Sequence, residues 1–135
     1  MKTIGVLALQ GAFIEHVNIY KRLGVPVIEV RNKKDLDQVQ GLIMPGGEST
    51  SNKLLLKKTG LDLEIIKRAK KDLAIWGVCA GIILLADLGL LDVEVERNAY
   101  GRQLDSFESP LSSEKFPKLE GVFIRAPKIT KVGKG

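Results

Sequence analysis

The chain has 135 residues, 44% of them hydrophobic and 27% charged, with a formal net charge of +5. That length suits one domain with one core, no apolar run approaches the ~18 residues that would cross a bilayer, and a single cysteine excludes an internal disulfide, which fits a reducing cytoplasm. The basic excess is spread as pairs, Lys33-Lys34, Lys57-Lys58 and Lys70-Lys71, set among apolar residues as on the wet face of a helix rather than clustered as a nucleic-acid footprint.

Met1 to Leu7 reads as the lead-in to a first strand rather than a cleavable signal, with Ile4 to Leu9 a continuous apolar run of the kind buried on both faces. Gln10-Gly11 ends it. Phe13, Val17, Tyr20 and Leu23 then recur at helical spacing, and Gly24 stops that helix. Val25 to Val30 predicts a second strand and Leu42 to Met44 a third, closed by Pro45-Gly46-Gly47. A helix follows from about Ser49, carrying Leu54, Leu55 and Leu56, and another runs from about Leu61 to Lys70. Ala74 to Val78 predicts a fourth strand and Ala80 to Ala86 a further helix. Beyond this the pattern weakens: Val93 to Val95 and Val122 to Ile124 read as strands, separated by the polar stretch from Arg97 to Gly121. Gly133-Lys134-Gly135 reads as a chain cut in mid-fold.

Alternation of strand and helix predicts an α/β fold, a mostly parallel sheet with helices on both faces in three layers. Sites in such sheets form beyond the carboxyl ends of the strands. Three sharp turns leave strand ends here, at Gln10-Gly11, at Pro45 to Ser49 and at Cys79-Ala80-Gly81, so they can converge on one edge.

Gly77-Val78-Cys79-Ala80-Gly81 is a G-x-C-x-G pattern between a strand and a helix, the thiol counterpart of a nucleophile elbow. The glycines permit the tight turn. The helix N-terminus favours negative charge on the sulfur, and the Ala80 N–H can donate to an oxyanion. A buried structural cysteine is the competing reading. The second glycine turn, Pro45-Gly46-Gly47-Glu48-Ser49-Thr50, can present backbone N–H groups to an anion or oxyanion. It can equally be a plain turn capped by Ser49 or Thr50. The pattern and lysine of a nucleotide-binding P-loop are absent.

Together these turns resemble the class I glutamine amidotransferases, and within them the family of glutaminase subunits of pyridoxal 5′-phosphate synthase. The resemblance covers nearly the whole chain. It is carried by Gly5 to Gly11, Glu15-His16, Pro45 to Thr50, Cys79-Ala80-Gly81, Val95 to Gln103, Asp105 to Glu108 and Phe123 to Pro127. It implies a single glutaminase domain over residues 1–135 with a flavodoxin-like topology, no cofactor and no metal. Cys79 aligns with the nucleophile, and the N–H groups of Gly47 and Ala80 with the oxyanion hole. Gly47, Glu48, Ser49, Arg97, Ile124 and Arg125 align with glutamine-binding residues. The implied reaction is attack of the Cys79 thiolate on the glutamine side-chain amide, release of ammonia, and hydrolysis of the γ-glutamyl thioester. The implied partner is a barrel-shaped synthase subunit that receives the ammonia, met by a face that includes Gln10, Gly11 and His16.

The pattern is departed from in two places. The family carries its general base in a His-x-Glu element near the C-terminus, and the 135 residues hold one histidine, His16, which aligns with a non-catalytic position. Extra residues that the family carries after Leu85-Ala86 are also missing, Asp87 joining directly to Leu88. Both suggest omitted residues, an internal loop and a C-terminal part. Two other readings stay open: a non-catalytic regulatory module on the same fold, favoured by the lack of a base, and a cysteine hydrolase or redox-type protein without a glutamine pocket. For Arg97, Arg102 and Arg125 the competing role is surface ion pairing, and for Glu48 electrostatic support of a helix start.

Overall fold

The computed structural model describes residues 1–125 and 127–134; Ala126 of the Phe123–Pro127 motif and the terminal Gly135 lie outside them. The chain divides into two compact units, Met1–Asp92 and Val93–Lys134.

The first unit runs β1 (Ile4–Leu7), α1 (Phe13–Arg22), β2 (Val27–Val30), α2 (Lys33–Leu36), β3 (Gly41–Met44), α3 (Ser49–Thr59), α4 (Leu61–Ala69), β4 (Ala74–Gly77) and α5 (Ala80–Asp87). Its four strands form one parallel sheet in the order β2-β1-β3-β4, pairing Ile4 with both Val27 and Gly41, and Gly41 in turn with Ala74. This is the expected α/β sheet, and its order begins as flavodoxin-like sheets do. Strand alternation sends residues to two cores. Val6 and Ile43 pack with Val17 of α1 and its neighbours Phe13 and Tyr20 on one face. Leu7, Val30, Leu42 and Met44 pack with Leu36, Leu56, Leu61, Ile65, Leu84 and Leu85 of the other helices on the opposite face. Each fully buried side chain of this size contributes roughly 1.5–3 kcal/mol. Of the three consecutive leucines in α3 only Leu56 is fully buried, at 1% exposed, while Leu54 is 65% exposed, because a helix turns one face in three to the core.

Helix ends follow local chemistry. Leu23 closes α1 and Gly24 follows at a φ of 67°. Gly60 separates α3 from α4 at a φ of 70°, where an L residue is strained. In the short α2, Lys33 and Lys34 are exposed, as a wet helix face requires. This helix is held by a capping box in which Asn32 accepts from the Asp35 N–H and Asp35 accepts in return from Asn32. Arg68 of α4 then fixes its far end, donating to the carbonyls of Leu36 and Val39 at 2.9 Å each.

The second unit contains β5 (Val93–Glu96), a 3₁₀ turn (Gln103–Asp105), β6 (Phe107–Pro110), β7 (Glu120–Phe123) and β8 (Lys128–Val132). β5 pairs antiparallel with β8, and β6 with β7. Tyr100, Phe107 and Phe123 form an aromatic cluster, with Phe107 stacked on Phe123 at 4.8 Å between centroids. The strands β6 and β8 lie where the sequence reads as polar or irregular. Both are largely exposed, so they carry no alternating apolar signal.

Candidate active site

The elbow forms as the G-x-C-x-G spacing requires. Cys79 is the residue before α5, at φ 51° and ψ −112°, a region that costs an L residue about 1–3 kcal/mol. The surrounding contacts impose it. A methyl on Gly81 would sit 2.0 Å from the Met44 carbonyl oxygen, and one on Gly77 would sit 2.8 Å from Gly81 C and from Leu85 Cδ1. Only glycine at both places lets α5 close down on the ends of β3 and β4. The Gly81 and Ile82 N–H groups bond back to Val78 and Cys79 carbonyls at 2.8 and 3.0 Å. The Cys79 thiol is free and half-buried, at the start of a helix whose N-terminal dipole favours an anion.

The glycine turn after β3 lies directly beside it. A methyl on Gly46 would stand 3.5 Å from Cys79 Cβ and 3.9 Å from the Val78 carbonyl oxygen. On its other side the turn meets the end of β1: a methyl on Gly11 would fall 2.1 Å from the Gly46 oxygen, and that oxygen accepts from the Ala12 N–H at 3.1 Å. The expected convergence of three strand-end turns on one sheet edge is therefore observed. Among the described residues, neither the Gly47 nor the Ala80 N–H meets an acceptor within the chain.

The turn's polar side chains are placed differently from the expectation. The helix α3 is capped by Glu48, not by Ser49 or Thr50, because the helix starts at Ser49 and the two Glu48 carboxylate oxygens reach the Thr50 and Ser51 N–H groups at 3.0 and 2.7 Å. Ser51, through its hydroxyl and its N–H, and then the Thr50 N–H hold this carboxyl at a pKa of about 2. Ser49 is buried at 7% exposed. The Gln10 side chain turns into the site: its Oε1 accepts from the Glu48 N–H at 3.0 Å and from Asn52 Nδ2 at 3.1 Å. Gly11 is exposed at a φ of 100°, and His16 is half-buried on α1.

The first unit thus gathers Gln10, Gly11, Gly47, Glu48, Ser49, Cys79 and Ala80. Arg97, Ile124 and Arg125 belong to the second unit. Arg97 is exposed just after β5, Ile124 follows β7 at 45% exposed, and Arg125 has a φ of 46°. Arg102 lies 3.7 Å from Asp105, across the 3₁₀ turn. Among the described residues no three His, Cys, Asp or Glu side chains gather as a metal site would require. Two residues of the assembly escaped the sequence reading. Asn52 is 2% exposed and donates to Gln10 and Glu48. Its signal was available, since a carboxamide one helical turn before Leu56 falls on the stripe that faces the core. Arg31, exposed after β2, donates to the Ala8 carbonyl while its guanidinium covers the Phe13 ring at 5.2 Å. Nothing local marked it.

Residues 6–135 match the model of the SNO glutamine amidotransferase family. The chain is 50% identical to the pyridoxal 5′-phosphate synthase subunit PdxT of Chloroflexus aurantiacus, over 98% of the chain and 77% of that protein. It is 48% identical to the subunit of the same name from Dehalococcoides mccartyi, over 98% and 74%. A crystal structure of a glutamine amidotransferase superposes with a TM-score of 0.91 at 46% identity, covering 98% of this chain and 76% of the other.

Proposed function

This chain belongs to the SNO glutamine amidotransferase family, and from that premise we propose that Cys79 is the nucleophile with which it hydrolyses glutamine. The chain is a glutamine-hydrolysing amidotransferase, a subunit of pyridoxal 5′-phosphate synthase. The observation that supports Cys79 is its positive-φ position at the start of α5, with the Gly46–Gly47 turn packed against it.

The chemistry follows from that arrangement. The Cys79 thiolate adds to the side-chain amide carbon of glutamine, and the carbonyl oxygen takes the negative charge. The Ala80 and Gly47 N–H groups donate to that oxyanion; each such donor is worth roughly 3 kcal/mol of transition-state stabilisation in enzymes of this type. The tetrahedral intermediate collapses, the carbon–nitrogen bond breaks, and ammonia leaves carrying the proton that the Cys79 thiol gave up on forming the thiolate. Water then attacks the thioester through a second oxyanion, giving glutamate and the free thiol. Glu48 contributes its backbone to the glutamine pocket while its carboxylate caps α3, and Ser49 lies against the same turn. Arg97, Ile124 and Arg125 of the second unit are further glutamine-binding candidates by the family resemblance, an arginine suiting a carboxylate.

The ammonia passes to the synthase subunit, and Gln10, Gly11 and His16 lie on the face that meets it. Among the described residues no helix is long and apolar enough to cross a membrane, and a nucleophile that must stay a free thiol fits the cytoplasm. The alternative reading is a non-catalytic regulatory module on the same fold. Glutamate release from glutamine, measured with the synthase subunit present, separates the two. The glutaminase reading requires release that Cys79→Ala abolishes, and labelling of Cys79 by a glutamine-like diazo-ketone that glutamine competes away. Release unaffected by Cys79→Ala would overturn the assignment, and no release from the wild type would favour the regulatory module.

A further inference from the structure

We infer that Asn52 is a positioning residue for the Gly47 oxyanion donor, holding the Gly46–Gly47–Glu48 backbone in place through Gln10. The inference rests on the reading of Gly47 as such a donor.

Glycine at φ 148° has no side chain to fix its peptide planes, so the direction of the Gly47 N–H must be imposed from outside. Both flanking peptides are pinned. The Gly46 oxygen takes the Ala12 N–H at 3.1 Å; in a trans peptide the N–H lies opposite the C=O, so the Gly47 N–H points away from the β1 turn. The next peptide is held by its Glu48 N–H, which donates to Gln10 Oε1 at 3.0 Å. A half-exposed glutamine with several free torsions makes a poor fixed acceptor by itself. Asn52 supplies the constraint. Its Nδ2 faces three oxygens, Gln10 Oε1 at 3.1 Å, Gln10 O at 3.4 Å and Glu48 O at 3.3 Å, which ties the side chain and backbone of Gln10 to the turn.

Packing does not account for a carboxamide here. Asn52 is 2% exposed, and among the described residues its Oδ1 has no hydrogen-bond partner. A leucine of similar size would fill the space without leaving that oxygen unsatisfied. What the carboxamide adds is the donor group, and that group acts on the turn beside Cys79.

The test uses Asn52→Asp and Asn52→Leu, which keep the approximate size and remove the N–H donors. Gln10→Ala cuts the same link from a half-exposed position, should a core substitution fail to fold. Three readouts are taken: amide hydrogen exchange at Glu48, glutamine hydrolysis with the synthase subunit, and alkylation of Cys79 by iodoacetamide, a displacement that needs no oxyanion donor. The expected result is exchange at Glu48 faster by about tenfold or more and kcat lower by about tenfold. KM and the alkylation rate stay near those of the wild type, and Asn52→Leu combined with Gln10→Ala loses little beyond either alone. Wild-type Glu48 protection and kcat in the Asp and Leu variants, or equal losses in kcat and alkylation, would overturn the role. A wild-type chain that releases no glutamate would sink the glutaminase reading instead, and exchange at Glu48 would still decide whether Asn52 holds the turn.

Discussion

The two strand-to-helix turns of the first unit stand side by side yet are held by different forces. The elbow at Cys79 is built by close contact: Gly77 and Gly81 let backbone meet backbone, and Met44 O leaves no room for a methyl on Gly81. The turn at Gly46–Gly47 is built by polar side chains, with Gln10, Glu48 and Asn52 supplying hydrogen bonds to a backbone that glycine alone would leave loose. Steric closure makes the elbow stiff and intolerant of change. Hydrogen bonds shared with a half-exposed glutamine make the other turn adjustable. A fixed position suits the proposed nucleophile, whereas the direction of the proposed oxyanion donor can be set by the side chains behind it.

Substitutions at each turn test this contrast. Gly81→Ala should be the most damaging, because the added methyl meets a backbone oxygen at 2.0 Å that cannot move aside cheaply; a loss of about 3 kcal/mol in chemical denaturation is expected, and a loss under about 1 kcal/mol would show the elbow to be softer than described. Cys79→Gly should act in the other direction on stability. It removes the side chain from a strained φ of 51°, so the protein gains about 1 kcal/mol while glutamate release stops, the exchange of stability for function expected at a strained nucleophile.

At the polar turn the expected effect is smaller and depends on pH. The Glu48 carboxyl titrates at about 2 in the folded chain against an ordinary value of 4.5. Its capping contribution is complete above about pH 4.5 and is lost as pH falls from there toward 2. Glu48→Gln should therefore lower Tm at pH 7 and leave it close to the wild type near pH 2; an equal Tm difference at both values would rule out the charged cap. The smallest effect is expected at Lys53, which reaches from α3 to Asp87 at the end of α5, 3.0 Å away and 47% exposed. Lys53→Ala should cost no more than about 0.5 kcal/mol, less still in high salt; a larger loss would mean that the two helices behind the turns are coupled through this pair.

Legibility followed the same division. β1 and β3 are legible because burial on both faces of a parallel sheet demands apolar runs, and α1, α3 and α4 because Gly24 and Gly60 punctuate the helices. α2 is too short for a periodic signal, although Asn32 and Asp35 carry the spacing of a capping box. In the second unit β8 is exposed along its whole length, and a strand that buries neither face leaves no period-two pattern to read. Residue type makes Ser49 and Thr50 possible caps. The helix instead begins at Ser49, one residue too early for Ser49 to cap it and two for Thr50, and the position before it belongs to Glu48.

The sequence by itself determined the elbow, since a cysteine between two glycines at a strand–helix junction has few ways to pack, and with the ordered motifs it determined the family. Only the tertiary structure decided how the second turn is held. Gln10 lies 38 and 42 residues from Glu48 and Asn52 along the chain, and meets them only because β1 and β3 pair as neighbours in the sheet. A hydrogen bond across such a distance leaves no periodicity in the sequence; a glycine forced against backbone does leave its mark, because no other residue can stand there.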